Sequence, residues 1–321
     1  MEPLTVSRTV LALAVLLLVG LFGVAYICYQ RDLRRALDRL SADSHIVQTP
    51  CGPIEYAAAG DGPVVLVVHG AGGGYDQGLE LGGQLVRGGF RVIAMSRFGY
   101  LRTPLPTDAS PAAQADAYAC LLDALNIKRV GLVGVSAGAP SSMQFALRHP
   151  ERISSLVLVV PAAYAPRAGD ASRIGERRGV PFFMDMALQS DFLFWTASKV
   201  ARETLVRSIL GTPADVVKNA ADDEQARLQQ VLEHILPVSA RRQGLLNEMA
   251  IVSSLPRYEL ENITTPTLVI SAHDDLYGTF DGARYTAEHI PGARFIGYAS
   301  GGHLLVGRQQ EVSAEITAFL R

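Results

Sequence analysis

The chain has 321 residues, 49% of them hydrophobic, and a formal net charge of -2. That length suffices for one large α/β domain with an insertion, or for two modest domains. The charge is nearly balanced and the body has no long basic run, so nucleic-acid binding has no support. The three cysteines, Cys28, Cys51 and Cys120, are odd in number and widely spaced. They imply neither a disulfide framework nor a zinc knuckle, and their count fits a reducing compartment.

Residues 1–9 read as a short tail. Residues 10–29, "VLALAVLLLVGLFGVAYICY", carry no charge and no proline. About 20 apolar residues are enough to cross a hydrocarbon core as a helix. A cleaved signal peptide is the rival reading, because Gly23-Val24-Ala25 resembles a small-x-small cleavage site. Against it, Arg8 is the only basic residue ahead of the run and is offset by Glu2, and the run continues past Ala25. These cues favour an uncleaved, single-pass anchor in a lipid bilayer. Residues 30–44 form a juxtamembrane linker with Arg31, Arg34, Arg35 and Arg39. The positive-inside rule then places the C-terminal body in the cytoplasm. Leu33, Leu37 and Leu40 repeat at helical spacing, so residues 31–41 predict either a short amphipathic helix on the membrane surface or a solvated linker helix.

The body opens with a hairpin, "HIVQT" and "GPIEYAAAG". Strands and helices then alternate. "PVVLVVHG" (63–70), "FRVIAMS" (90–96), "RVGLVGV" (129–135) and "ISSLVLVV" (153–160) are short β-branched runs of the kind buried on both faces of a sheet. Helices are expected over 77–88, from Ser110-Pro111 to about Asn126, and from the third of these strands to His149. This alternation predicts a mostly parallel sheet with helices on both faces. The rhythm breaks at Pro161, and residues 162–256 read as a helical cap. They include an aromatic cluster, "PFFMDMALQSDFLFW" (181–195), that suits either a core or an apolar acyl pocket. Strands return at "PTLVISA" (266–272) and "ARFIGYAS" (293–300), and a helix over 308–320 closes the chain with Val312, Ile316 and Phe319 on one face. The core is thus 45–161 and 257–321, with the cap over the C-terminal strand ends, where open α/β sheets bind ligands.

Chemistry concentrates at those strand ends. "GVSAG" (134–138) fits G-x-S-x-G between a strand and a helix, so Ser136 is a candidate nucleophile on a sharp turn. A serine hydroxyl needs a base, a group to orient that base, and donors for the oxyanion. "SAHDD" puts Asp274 and Asp275 after one strand, and "GGH" puts His303 after the next. "HGAGGG" (69–74) follows another strand and leaves backbone N–H groups free to face a ligand. His69 in that loop reads as a hydrogen-bonded organiser rather than a base.

With these four motifs in register over about residues 50–321, the chain resembles the α/β-hydrolase superfamily. The resemblance implies Ser136 as nucleophile, His303 as general base and Asp275 as the acid, with Asp274 as an alternative and Asp170 as a remoter one. It implies an oxyanion hole from the N–H groups of Ala71 and Ala137, and no metal or organic cofactor. One departure stands out: the superfamily's "D-x-R-G-x-G" reads here "SRFGYLR" (96–102), with Ser96 in the acidic position. The implied activity is a membrane-anchored carboxylesterase or lipase-like enzyme for a hydrophobic, small-molecule ester. Carbon–carbon bond hydrolases of the meta-cleavage type are one alternative. They typically carry Asn before the nucleophile and Trp after the histidine, where this chain has Val135 and Leu304. A non-catalytic receptor or scaffold on the same fold is another, although the chain keeps all three triad residue types.

Overall fold

The structure is a computed structural model that describes residues 3–42, 44–166 and 188–321. Its centre is an eight-stranded sheet in the order β1-β2-β4-β3-β5-β6-β7-β8. The strands are β1 (His45–Thr49), β2 (Gly52–Ala59), β3 (Val64–Val68), β4 (Arg91–Met95), β5 (Val130–Val135), β6 (Ile153–Val159), β7 (Thr267–Ala272) and β8 (Arg294–Tyr298). β2 pairs antiparallel with β1 and β4, and the other pairs are parallel.

Alternation along each parallel strand builds two cores. Leu66, Ile93, Leu132, Leu156 and Val269 face α3 (Pro111–Ala124), α4 (Ala139–Arg148) and α10 (Thr279–His289). Val65, Val92, Val133, Val157 and Leu268 face α2 (Tyr75–Arg87) and the closing α11 (Gln309–Leu320). Because both faces are covered, these strands read as continuous apolar runs. Ser110 caps α3 by accepting from the Ala113 N–H, and Pro111 fills its first position, as the sequence predicts. The sequence reading missed α10. Its buried face is Gly282, Ala283, Thr286 and Ala287, too small to print an apolar stripe. A Cβ on Gly282 would lie 2.9 Å from the Ala163 carbonyl oxygen, so close packing on that segment demands the small residue.

Between β6 and β7 the described residues form the cap helices α5 (Asp191–Val200), α6 (Arg202–Ile209), α7 (Ala214–Lys218), α8 (Asp222–His234) and α9 (Arg242–Val252). Phe182 and Phe183 lie outside the described residues. Phe194 and Trp195 are buried and pack with Tyr29 and Ala36 of the N-terminal helix.

That helix, α1 (Pro3–Ala42), corrects the expected division into span and linker. It is continuous, so residues 30–42 extend the apolar stretch rather than lying as a separate surface helix. They dock on the body. The Trp195 indole donates to Asp32 at 3.0 Å, Tyr75 donates its hydroxyl to the Leu40 carbonyl at 2.9 Å, and Arg39 reaches Asp76 and the carbonyls of His234 and Leu236. From Val10 to Leu21, by contrast, the large apolar side chains are exposed.

A second correction concerns the cysteines. Cys51 and Cys120, 69 residues apart, are paired as a disulfide with a Cα–Cα distance of 6.2 Å. Cys120 therefore crosslinks α3 to the β1–β2 turn.

Candidate active site

Ser136 sits where β5 turns into α4. Its φ of 50° is left-handed, a costly state for a residue with a Cβ. The neighbours make the turn possible. A Cβ on Gly134 would lie 2.3 Å from Ser142 Oγ, and one on Gly138 would lie 2.6 Å from the His69 carbonyl oxygen. Pro140 occupies the first turn of α4, where a missing N–H costs nothing. The result is a serine Oγ carried on the tip of the turn.

The structure brings Ser136, His303 and Asp275 together. His303 Nε2 is 2.8 Å from Ser136 Oγ, and His303 Nδ1 is 2.8 Å from Asp275 Oδ2. A carboxylate only accepts, so Nδ1 carries the proton and Nε2 is left to accept from the serine hydroxyl. The Asp275 side chain is fully buried. It also accepts from the Thr279 hydroxyl and, at 2.8 Å, from the Tyr277 N–H.

Asp274 is not part of this line. It accepts from Ser300 Oγ at 2.7 Å and from the N–H groups of Gly301 and Gly302, and so braces the loop that carries His303. Asp170 lies outside the described residues.

The cap reaches the same loops. The Gly211 carbonyl accepts from the N–H groups of Leu276 and His303, at 3.0 and 3.3 Å, bridging the loop that carries Asp275 to the loop that carries His303. Tyr277 packs edge-on to the His303 ring at 4.8 Å and donates its hydroxyl to the Ile209 carbonyl. Nothing local in the sequence marks Gly211, whose role depends on loops more than 60 residues downstream.

The loop holding Ala71 runs against Ser136: a Cβ on Gly70 would lie 3.1 Å from Ser136 Cβ. Ala137 follows Ser136 within the same turn. His69 organises this region. Its Nε2 accepts from the Arg97 N–H at 3.0 Å, so Nδ1 carries the proton and donates to the Gly70 carbonyl at 2.7 Å. Burial, and then the nearby Arg97 charge, hold this imidazole well below the usual histidine range and keep it neutral.

The departure at Ser96 is compensated from a neighbouring strand. Buried Glu55 on β2 accepts from Ser96 Oγ at 2.8 Å, from the Arg102 backbone N–H and side chain, and from Ser44 Oγ. The only sequence signal was an acid placed inside an apolar strand. Among the described residues no group of three His, Cys, Asp or Glu could hold a metal ion.

With this geometry in place, the comparisons identify the class. The sequence profile of the alpha/beta hydrolase fold matches residues 63–307, and the chain belongs to that family. It is 27% identical over 286 residues to the uncharacterized hydrolase YcgS of Bacillus subtilis, covering 84% of this chain and 95% of that one. It is 27% identical to the 2-hydroxy-6-oxo-6-phenylhexa-2,4-dienoate hydrolase of Comamonas testosteroni, covering 78% and 84%. Among solved structures, an alpha/beta hydrolase fold protein from Nakamurella multipartita superposes with a TM-score of 0.66 at 29% identity, over 86% of this chain and 98% of that one.

Gly211 supplies a test of the cap's part in the site. It has a φ of +53°, and a Cβ there would lie 2.6 Å from the Tyr277 ring and 3.0 Å from His303 Cβ. Gly211→Ala is expected to lower kcat, on whichever substrate the parent turns over, by about 100-fold through displacement of the imidazole. A kcat within about threefold of the parent, with the fold intact by circular dichroism, would show that the cap does not position His303.

Proposed function

We propose that this hydrolase cleaves a carboxylic ester of a hydrophobic substrate through an acyl-enzyme on Ser136. The observation that carries the proposal is the imidazole of His303 hydrogen-bonded to Ser136 on one side and to buried Asp275 on the other. In the mechanism this implies, Ser136 Oγ attacks the carbonyl carbon while His303 Nε2 takes its proton. Asp275 stabilises the imidazolium and stays ionised. The N–H groups of Ala71 and Ala137 receive the developing oxyanion. Collapse expels the alcohol, protonated by His303. Water, activated by the same base, then releases the acid.

A second reading is cleavage of a carbon–carbon bond, favoured by the name of the Comamonas relative. The substrate in that name carries a carboxylate. Of the arginines beside the oxyanion loop, Arg97 is committed to Glu248 and Arg241 to Asp76, which favours a neutral substrate. Val135 and Leu304 favour the ester as well. A panel of p-nitrophenyl esters run beside a ring-cleavage dienoate separates the two. We expect kcat/KM to be at least about 100-fold higher on the best ester. The reverse ratio would assign the chain to carbon–carbon cleavage. Ser136→Ala should lower either activity at least about 10⁴-fold while leaving the chain folded. Full activity in that variant would remove the proposal, whereas a parent inactive on both substrates would favour the scaffold alternative.

We propose further that the apolar stretch from Val10 to Tyr29 anchors the protein in a bilayer, with the body on the oxidising side. The length and apolarity of α1 support the anchor. The Cys51–Cys120 pair supports the side, and Arg39 is accounted for by its contacts to Asp76 and the cap. Alkylation in intact cells is the test. Both thiols should resist a membrane-permeant maleimide until a reductant is added. Prompt labelling without reductant would return the body to the cytoplasm.

A further inference from the structure

The β4–α3 loop carries a guanidinium that the mechanism above does not use. Arg97 is buried beneath the cap. Its Nη2 donates to the Gly70 carbonyl at 3.2 Å, and its Nη1 donates to the Ala137 carbonyl at 3.3 Å. Its charge is met by Glu248 of α9, itself buried. The Tyr100 hydroxyl also donates to Glu248 and accepts from the Gly72 N–H at 3.4 Å. Burial pushes the Tyr100 hydroxyl up to about 12, so it stays a donor. Two backbone bonds lock this loop to the cap: Gly244 N–H to the Gly99 carbonyl at 2.9 Å, and Leu101 N–H to the Ala240 carbonyl at 2.9 Å.

The peptide geometry gives these contacts their meaning. In a trans peptide the C=O and the following N–H point in opposite directions. The Gly70 carbonyl and the Ala71 N–H belong to one such unit. Holding that carbonyl from behind, with Arg97 and with His69 at 2.7 Å, turns the Ala71 N–H the other way. The peptide between Ser136 and Ala137 is held in the same manner, its carbonyl accepting from the Ala162 N–H at 3.0 Å. Arg97 spans both sides, with one nitrogen on the Gly70 carbonyl and one on the Ala137 carbonyl, in the next peptide of the Ser136 turn.

We infer that Arg97 is a positioning residue: its guanidinium orients the Ala71 donor and sets its spacing from the Ser136 turn that carries the Ala137 donor, and Glu248 of the cap holds it in place. The inference rests on the proposed attack of Ser136 on a carbonyl, and it applies to an ester and a dienoate alike. It makes the cap a structural part of the oxyanion hole. A lysine cannot replace the arginine, because one ammonium on a flexible stem does not present two fixed donors to two carbonyls.

The test uses the full chain in detergent, on whichever substrate the parent turns over. Arg97→Met, Arg97→Lys and Glu248→Gln are compared for kcat, KM, inhibition by a trifluoromethyl ketone and melting temperature. The ketone adds to the serine and places an oxyanion in the hole. Arg97→Met is expected to lower kcat about 100-fold and to weaken the ketone by a similar factor, with KM within about threefold. Guanidinium ion in the buffer should restore part of that loss. Arg97→Lys should remain at least about tenfold down, and Glu248→Gln should fall between Arg97→Met and the parent.

A merely structural role would lower the melting temperature without weakening the ketone, and that result overturns the inference. So does full recovery in Arg97→Lys. Should Arg97→Met fail to fold, Glu248→Gln decides: unchanged kcat and unchanged ketone affinity overturn the inference. An active parent beside unaffected variants overturns the role of Arg97 alone. A parent inactive on both substrates overturns the underlying reading as well.

Discussion

Two hydrogen bonds to one imidazole place the strongest demand on this structure. His303 must present Nε2 to Ser136 and Nδ1 to Asp275 at the same time, each at 2.8 Å. The three residues come from the ends of different strands, β5, β7 and β8. Parallel strands bring those ends to one edge of the sheet, and the loops beyond them must then be fixed by other means. Asp275 is fixed by Thr279 and the Tyr277 N–H. The His303 loop is fixed by Asp274, which shows how two adjacent carboxylates divide their work. One faces the imidazole, and the other holds the backbone that carries it.

The cap acts as a brace as much as a cover. Gly211 ties the Asp275 loop to the His303 loop. Arg227 donates to the Leu304 carbonyl at 3.1 Å and Glu224 accepts from the Gly307 N–H at 3.0 Å, so α8 grips the chain just past His303. Fully buried Arg241 donates to the Gly73 carbonyl at 2.6 Å while forming a two-point pair with Asp76. Glu248 meets Arg97. The cap in turn packs on α1 through Tyr29, Phe192 and Trp195. A continuous set of contacts therefore runs from the N-terminal helix, through the cap, to the loops around Ser136. Whatever holds α1 also holds the cap.

Much of the arrangement was legible in local pattern. β-branched runs marked the parallel strands because those strands are buried on both faces. Ser136, Asp275 and His303 stood out because each follows such a run within a few residues, in an order that one sheet edge can assemble. The same local reading went wrong where a partner is distant. Glu55 stands in for the acid missing at Ser96, yet one lies on β2 and the other just past β4, 41 residues apart. Cys51 and Cys120 pair across 69 residues without a spacing rule. Helix α10 hides its packing face in small residues. The helical spacing of residues 31–41 was visible, but their docking depends on Trp195, far along the chain.

Ser136 is proposed to be nucleophilic because the imidazole links it to Asp275, and the rate of labelling by a fluorophosphonate probe tests this most directly. The site of attachment is mapped by peptide mass spectrometry, in the parent and in His303→Gln. A single label on the peptide carrying Ser136 is expected, formed at least about 10³-fold more slowly in the variant. A label on another residue, or equal rates in the two proteins, would contradict it.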